Sequence, residues 1–232
     1  MPAWARADRK RLLLMVHTSD ARSRLVLVTP AAYEAAAFAP RLADALAGGD
    51  VASLIITAPD ARDITSLQRA AEKLVPIAEA RGVAALVHND TRTASRTNAD
   101  GLHIDTGQED VRAAVEAARG RKIVGAGNVH SRHDAIEIAE TEPDYIFFGR
   151  LADGNDAGIY PKVKDLAEWW SSVAVVPAIV MGGRSLDSVE EAAAAGIEFV
   201  ALAGAVWDDP RGPAAAVNDA VTRLARKLEA VS

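Results

Sequence analysis

The chain reads as a single (β/α)8 barrel. Three observations point that way: half of its 232 residues are apolar, short aliphatic runs alternate with Ala-rich stretches of helical period, and the number of such runs is eight. That length suits one large core rather than two domains. The runs with strand character are 25–29, 51–57, 84–88, 101–104, 123–127, 145–149, 178–181 and 199–202. Between them lie amphipathic stretches such as Thr65 to Arg81, Asp110 to Arg119, Ser131 to Glu140 and Asp187 to Ala195, each able to cover a pair of parallel strands. An open doubly wound sheet is the rival, but its Gly-rich turn after the first strand is missing: Val28 runs into Thr29, Pro30 and Ala31. Residues 1–24 are expected to be an N-terminal extension and 25–232 the barrel.

Charge and composition exclude several classes. The formal charge of -6 comes from acidic and basic residues mixed along the chain, so no basic surface asks for nucleic acid. There is no cysteine, hence no disulfide framework, thiol nucleophile or cysteine-based zinc site, which suits a reducing cytoplasm. The run Leu12 to Val16 is too short for a signal-peptide core, and no segment approaches the ~20 apolar residues of a membrane helix. The expected partner is a small phosphorylated molecule, with no nucleic acid and no membrane; the sequence leaves room for a homodimer.

Function in such barrels collects at the carboxyl ends of the strands. Met181-Gly182-Gly183-Arg184 follows the seventh strand and Ala203-Gly204-Ala205 the eighth. Small residues there let backbone N–H groups approach an oxyanion, so Gly182, Gly183, Ala203 and Gly204 are candidate phosphate ligands; a simple tight turn is the plainer reading. His88-Asn89-Asp90 follows the third strand, and His103, Asp105, Gln108 and Asp110 follow the fourth. Asp90 with Asp105 or Asp110 could share a magnesium ion, which takes one or two carboxylates plus water and ligand phosphates. Asp110 could equally cap the helix after it. The fifth strand leads to Gly127-Asn128-Val129-His130-Ser131. His130 is the candidate proton-transfer residue, because an imidazole titrates near neutrality; a histidine that merely caps the next helix is the plainer alternative. Asn89, His103, Asn128 and Arg150 complete the candidate substrate contacts.

At these positions the chain resembles the thiamine phosphate synthase superfamily, which includes the synthase and the related thiazole tautomerase. The likeness spans most of residues 25–210. It rests on Val28-Thr29, Asn89-Asp90, Ala99-Asp100-Gly101-Leu102-His103 with Gly107-Gln108-Glu109-Asp110, Val129-His130-Ser131, Asp144-Tyr145 with Phe148-Gly149, Gly182-Gly183, and Ala194-Ala195-Gly196 through Ala205. The resemblance implies a role in thiamine biosynthesis. In the synthase a thiazole phosphate attacks a pyrimidine pyrophosphate with magnesium and basic side chains assisting. That pattern wants Gln, Arg and Lys at the end of the second strand, where this chain has Ile55, Ile56, Thr57, Ala58, Pro59 and Asp60. After the sixth strand the family's threonines and lysine are replaced by Arg150-Leu151-Ala152-Asp153-Gly154-Asn155-Asp156. Lost cations where pyrophosphate charge develops could cost several kcal/mol of transition-state stabilisation. The tautomerase branch, which lacks the pyrimidine contacts and carries a Val-His-Ser run after the fifth strand, is the closer likeness. Three readings follow: thiazole tautomerase, divergent synthase, and non-catalytic phosphate binder.

Overall fold

The computed structural model describes residues 23–60, 63, 65–152 and 157–229, with side chains as far as residue 225. The eight strands are β1 (Arg24–Val28), β2 (Val51–Ile56), β3 (Ala84–His88), β4 (Gly101–Ile104), β5 (Ile123–Val129), β6 (Tyr145–Phe148), β7 (Ala178–Met181) and β8 (Phe199–Leu202). All pair in parallel, in sequence order, and β8 closes on β1. The helices among the described residues are α1 (Ala35–Ala45), α2 (Ser66–Ala80), α3 (Thr91–Arg96), α4 (Gln108–Ala118), α5 (Arg132–Ala139), α6 (Pro161–Val173), α7 (Asp187–Ala194), α8 (Gly204–Trp207) and α9 (Pro213–Glu229). This is the expected (β/α)8 barrel. Arg24 already belongs to β1, and residues 1–22 of the expected extension lie outside the described residues.

Strand burial shows why the runs look continuously apolar. Every residue of β2, β6, β7 and β8 is buried, as expected for strands covered by helices outside and by one another inside. Loop chemistry sets where the helices start. Glu34 accepts the Ala36 and Ala37 N–H groups before α1, Ser131 Oγ accepts from Asp134 N before α5, and Pro161 occupies the first turn of α6, where its missing N–H costs nothing.

Three carboxylates brace the amino end of the barrel. Asp100, just before β4, accepts the Ala85 N–H at 2.9 Å. Asp144, just before β6, accepts from Val124 N at 2.8 Å, and Glu198, just before β8, accepts from Ala178 N at 3.0 Å. Each ties the start of one strand to its neighbour. The aspartates of the Ala-Asp-Gly and Asp-Tyr motifs therefore work at the end opposite the strand carboxyl termini.

β5 departs from the expected 123–127 and runs on to Val129. One extra residue enters it relative to β6, because Ala126 pairs with Ile146 but Val129 with Phe148. The bulge puts Asn128 at φ 62 and carries the chain straight into His130. Such bulges re-aim side chains.

Candidate functional site

Two left-handed asparagines stand at the ends of β3 and β5, on either side of β4: Asn89 at φ 52 and Asn128 at φ 62. This backbone region is costly for most residues and is tolerated best by Asn, Asp and Gly. Asn89 braces two loops: its Nδ2 donates to Asp105 Oδ1 at 2.6 Å, and its Oδ1 accepts from Asp105 N at 3.0 Å. His88 Nε2 lies 2.9 Å from Asp105 Oδ2. Partial burial disfavours the charged form of Asp105. Hydrogen bonds from His88 and Asn89 and the nearby imidazoles outweigh that and hold the carboxyl at about 2.

His103 is not on the rim as expected. It belongs to β4, is 1% exposed, and sits inside the barrel with its Nδ1 2.9 Å from the Tyr145 hydroxyl and its ring stacked on that of Tyr145. The reason lies in β5: a Cβ on Gly125 would fall 1.8 Å from the Tyr145 ring, and one on Gly127 would fall 2.8 Å from His103 Nε2. Two glycines thus open the interior to two polar rings. Burial, reinforced by His88 and opposed by Asp105, pushes His103 down to about 3; burial pushes Tyr145 well above the usual phenol range. Both are neutral near pH 7.

The three candidate magnesium ligands do not converge. Asp90 caps α3, its Oδ1 accepting from Arg92 N and Thr93 N and its Oδ2 from Thr93 Oγ1. Burial raises its pKa, but these bonds more than offset that and lower it. Asp105 is engaged by His88 and Asn89, and Asp110 lies exposed in the first turn of α4. Among the described residues no three His, Asp or Glu side chains gather into an all-protein metal centre.

The glycine loops divide. Gly182 N–H goes to Ala201 O at 2.8 Å and Gly183 N–H to the buried Ser188 Oγ at 2.9 Å. These two amides, expected to face a phosphate, are satisfied within the protein. The Ala203 carbonyl accepts from Val206 N and Trp207 N. Gly204 lines a cleft of about 390 Å³ with Arg184, Asp208, Arg211 and Arg223, and a smaller one of about 100 Å³ with Thr29, Leu151 and Trp207. Trp207 pins this loop to β1 through its indole N–H, which donates to Val28 O at 2.6 Å.

His130 is exposed, and its Nε2 lies 2.8 Å from Asn128 Oδ1. An amide oxygen only accepts, so Nε2 donates and Nδ1 keeps the free lone pair. His130 lines a cleft of about 430 Å³ together with Gly149, Arg150, Tyr160 and Lys162. Gly183 and Gly204 are not part of that cleft. The structure therefore brings Asn128, His130 and Arg150 together and leaves Gly204 at another point of the rim. Lys162 and Tyr160 escaped the sequence reading because they stand ten and more residues past β6; the Pro161 that starts their helix was the available signal.

At the end of β2, Thr57 N donates to Thr29 Oγ1 at 3.0 Å and Tyr33 OH donates to Thr57 O at 2.8 Å. Burial, partly offset by Thr29, raises the Tyr33 phenol to about 12. No described residue from Thr57 to Asp60 is basic.

The profile of a family described as thiamine monophosphate synthase matches residues 25–206, which spans the whole barrel from β1 to α8. The chain belongs to that family. A thiamine-phosphate synthase of Rhodospirillum centenum is 38% identical over 199 residues, covering 84% of this chain and 95% of the relative. Another from Hyphomonas neptunium is 30% identical over 202 residues, covering 85% and 91%. Among solved structures, thiamine phosphate pyrophosphorylase from Pyrococcus furiosus superposes with a TM-score of 0.71 at 17% identity, covering 88% of this chain and 96% of that one. A dimeric archaeal Rubisco from Hyperthermus butylicus reaches 0.71 at 13% identity over 96% and 63%. At such identities the structural likeness speaks for the barrel alone. Among the described residues, no helix is long and apolar enough to cross a membrane.

Proposed function

We propose that this member of the thiamine monophosphate synthase family binds a thiazole-type phosphate at the carboxyl end of its barrel and moves a proton on it through His130. Family membership supports a place in thiamine biosynthesis. The observation that carries the finer reading is the His130 imidazole itself: exposed, oriented by Asn128, and set in a cleft beside Arg150 and Lys162. A base held in one orientation with a free lone pair is what proton transfer requires. Tautomerisation takes a proton from one carbon of the ligand and returns it to another, so Nδ1 acts first as base and then, protonated, as acid. Nothing enters or leaves. Phosphate contact at Gly204 and substrate contact at Asn128 and Arg150 belong to the same reading.

Divergent synthase activity is the second reading, and Lys162 favours it, since with Arg150 it supplies two cations near the loop where the resemblance implied a loss. Against it stands the end of β2, where Thr57, Ala58, Pro59 and Asp60 supply no positive charge. Incubation with a thiazole carboxylate phosphate alone, and separately with a pyrimidine pyrophosphate and magnesium added, distinguishes the two. Isomerisation without the pyrimidine and without magnesium is expected. Pyrophosphate release only when both partners are present would establish the synthase instead, and tight binding with neither reaction would leave a phosphate binder.

A further inference from the structure

Among the described residues four large apolar side chains are exposed: Ile136, Tyr160, Val173 and Val175. Three of them share one place. Arg132 of α5 stacks over Trp169 of α6, its guanidinium carbon 4.7 Å from the ring centroid. Both helices run back toward the amino end of the barrel, so one turn further on Ile136 and Val173 continue that seam. Val175 follows, where the chain turns toward β7. Ile136 is 50% exposed, Val173 63% and Val175 78%. Apolar side chains left so open on adjoining elements mark an interaction surface.

The charges around it have one sign. From His133 to Pro143, and again from Asp165 to Gly183, the sequence holds no lysine or arginine. Glu140 at the end of α5 and Glu168 beside Trp169 are exposed, and neither helix has a basic residue in its last turn. Helix carboxyl ends carry partial negative charge, which favours cations against them. A second copy of this face would set acid against acid. The fitting occupant is apolar and basic together.

The chain contains such a segment, for Arg9-Lys10-Arg11 runs directly into Leu12-Leu13-Leu14-Met15-Val16. That segment lies outside the described residues, which begin at Ser23, and Ser23 stands at the right edge of the barrel. Its Oγ donates to Ile197 O at 2.6 Å. The next residue, Glu198, accepts on Oε2 from Ser171 Oγ of α6 at 2.8 Å and from Ala178 N at 3.0 Å. The chain therefore enters β1 beside the stretch that carries Val173 and Val175. Seven residues lead from Val16 to Ser23, a reach of up to roughly 23 Å when extended. We propose that the run Leu12–Val16 docks on the surface of Ile136, Val173 and Val175, with Arg9, Lys10 and Arg11 set against Glu140, Glu168 and the carboxyl ends of α5 and α6. Exposed ion pairs contribute little by themselves, so the apolar run holds the contact and the charges orient it. The surface is at the end of the barrel opposite His130, and the docking is independent of any proton transfer there.

The test uses the full chain, 15N-labelled. Because the protein has no cysteine, Asp8→Cys supplies a single attachment point for a nitroxide, well ahead of the residues tethered to β1. The backbone amides of 136–140 and 172–175 are expected to lose most of their intensity and to regain it when the nitroxide is reduced. Leu13→Glu with Leu14→Glu should abolish that loss, and so should Val173→Asp with Val175→Asp. The first pair alters nothing in the barrel, so a folding defect cannot imitate its effect. A spin-labelled chain without 15N, mixed with a 15N chain that carries no nitroxide, should cause no loss. Loss in the mixture equal to that within one chain would give the surface to a second copy and overturn docking within the chain. No loss at these amides, or loss that survives either pair of substitutions, would overturn the contact itself.

Discussion

Asn128 fixes which nitrogen of His130 is free, and that makes it the residue through which the site can be tuned. Replacing its amide by a carboxylate, Asn128→Asp, places a negative charge about where Oδ1 now lies, 2.8 Å from Nε2. An adjacent anion favours the charged imidazolium. The pH–rate profile for isomerisation should move upward; an unmoved profile would mean that His130 is not the proton-transfer group. The types of these residues were legible in the sequence, but their partners were not. Asn89 and His103 both looked like ligand contacts, whereas the fold gives Asn89 to Asp105 and His103 to Tyr145. A polar residue at a strand end reads the same whether it faces a ligand or a neighbouring loop, because only the register across four strands decides.

At the scale of elements, β5 does most to place the site. Its two glycines admit the Tyr145 and His103 rings, and its bulge delivers Asn128 and His130. Gly125→Ala should therefore drive a methyl into the Tyr145 ring and lower the unfolding free energy in urea by about 1–3 kcal/mol; a neutral result would show that the strand can yield there. Asp100 and Asp144 make the opposite case. Alanine at either leaves a strand-start amide without its acceptor and should cost about 1–3 kcal/mol with turnover per folded molecule unchanged. A loss of turnover at full stability would contradict their bracing role. Seven strands fell within one residue of their sequence runs because each is a mostly apolar stretch. The end of β5 was misjudged because Gly127 and Asn128 look like a turn, and only the pairing of Val129 with Phe148 reveals the strand continuing through them.

For the whole molecule, the buried His103 makes the barrel acid-sensitive. Its folded pKa of about 3 lies below the ordinary imidazole value of 6.5. Between those values the unfolded chain binds the proton and the folded one does not, so stability is full above pH 6.5 and falls as the pH drops, by up to about 1.4 kcal/mol per unit from this group. Asp105, held at about 2, adds a loss in the same direction below its unfolded value near 3.8. Chemical denaturation from pH 7 to pH 4 should show the decline, and His103→Phe should flatten it down to about pH 4; a slope identical to wild type would remove His103 as its cause. Fold and family were legible because they depend on the order of many weak signals along 25–210. The chemistry was less so, since it turns on one imidazole and on cations separated from it by the loop after β6. Hydrogen–deuterium exchange at the acidic carbon of a thiazole carboxylate phosphate in D2O is the most direct measurement, made on wild type and His130→Ala alongside ligand affinity. Exchange by the wild type that falls about 10²–10⁴-fold in the variant, with affinity within about twofold, is the predicted result. Tight binding without exchange by the wild type, or exchange undiminished in His130→Ala, would contradict it.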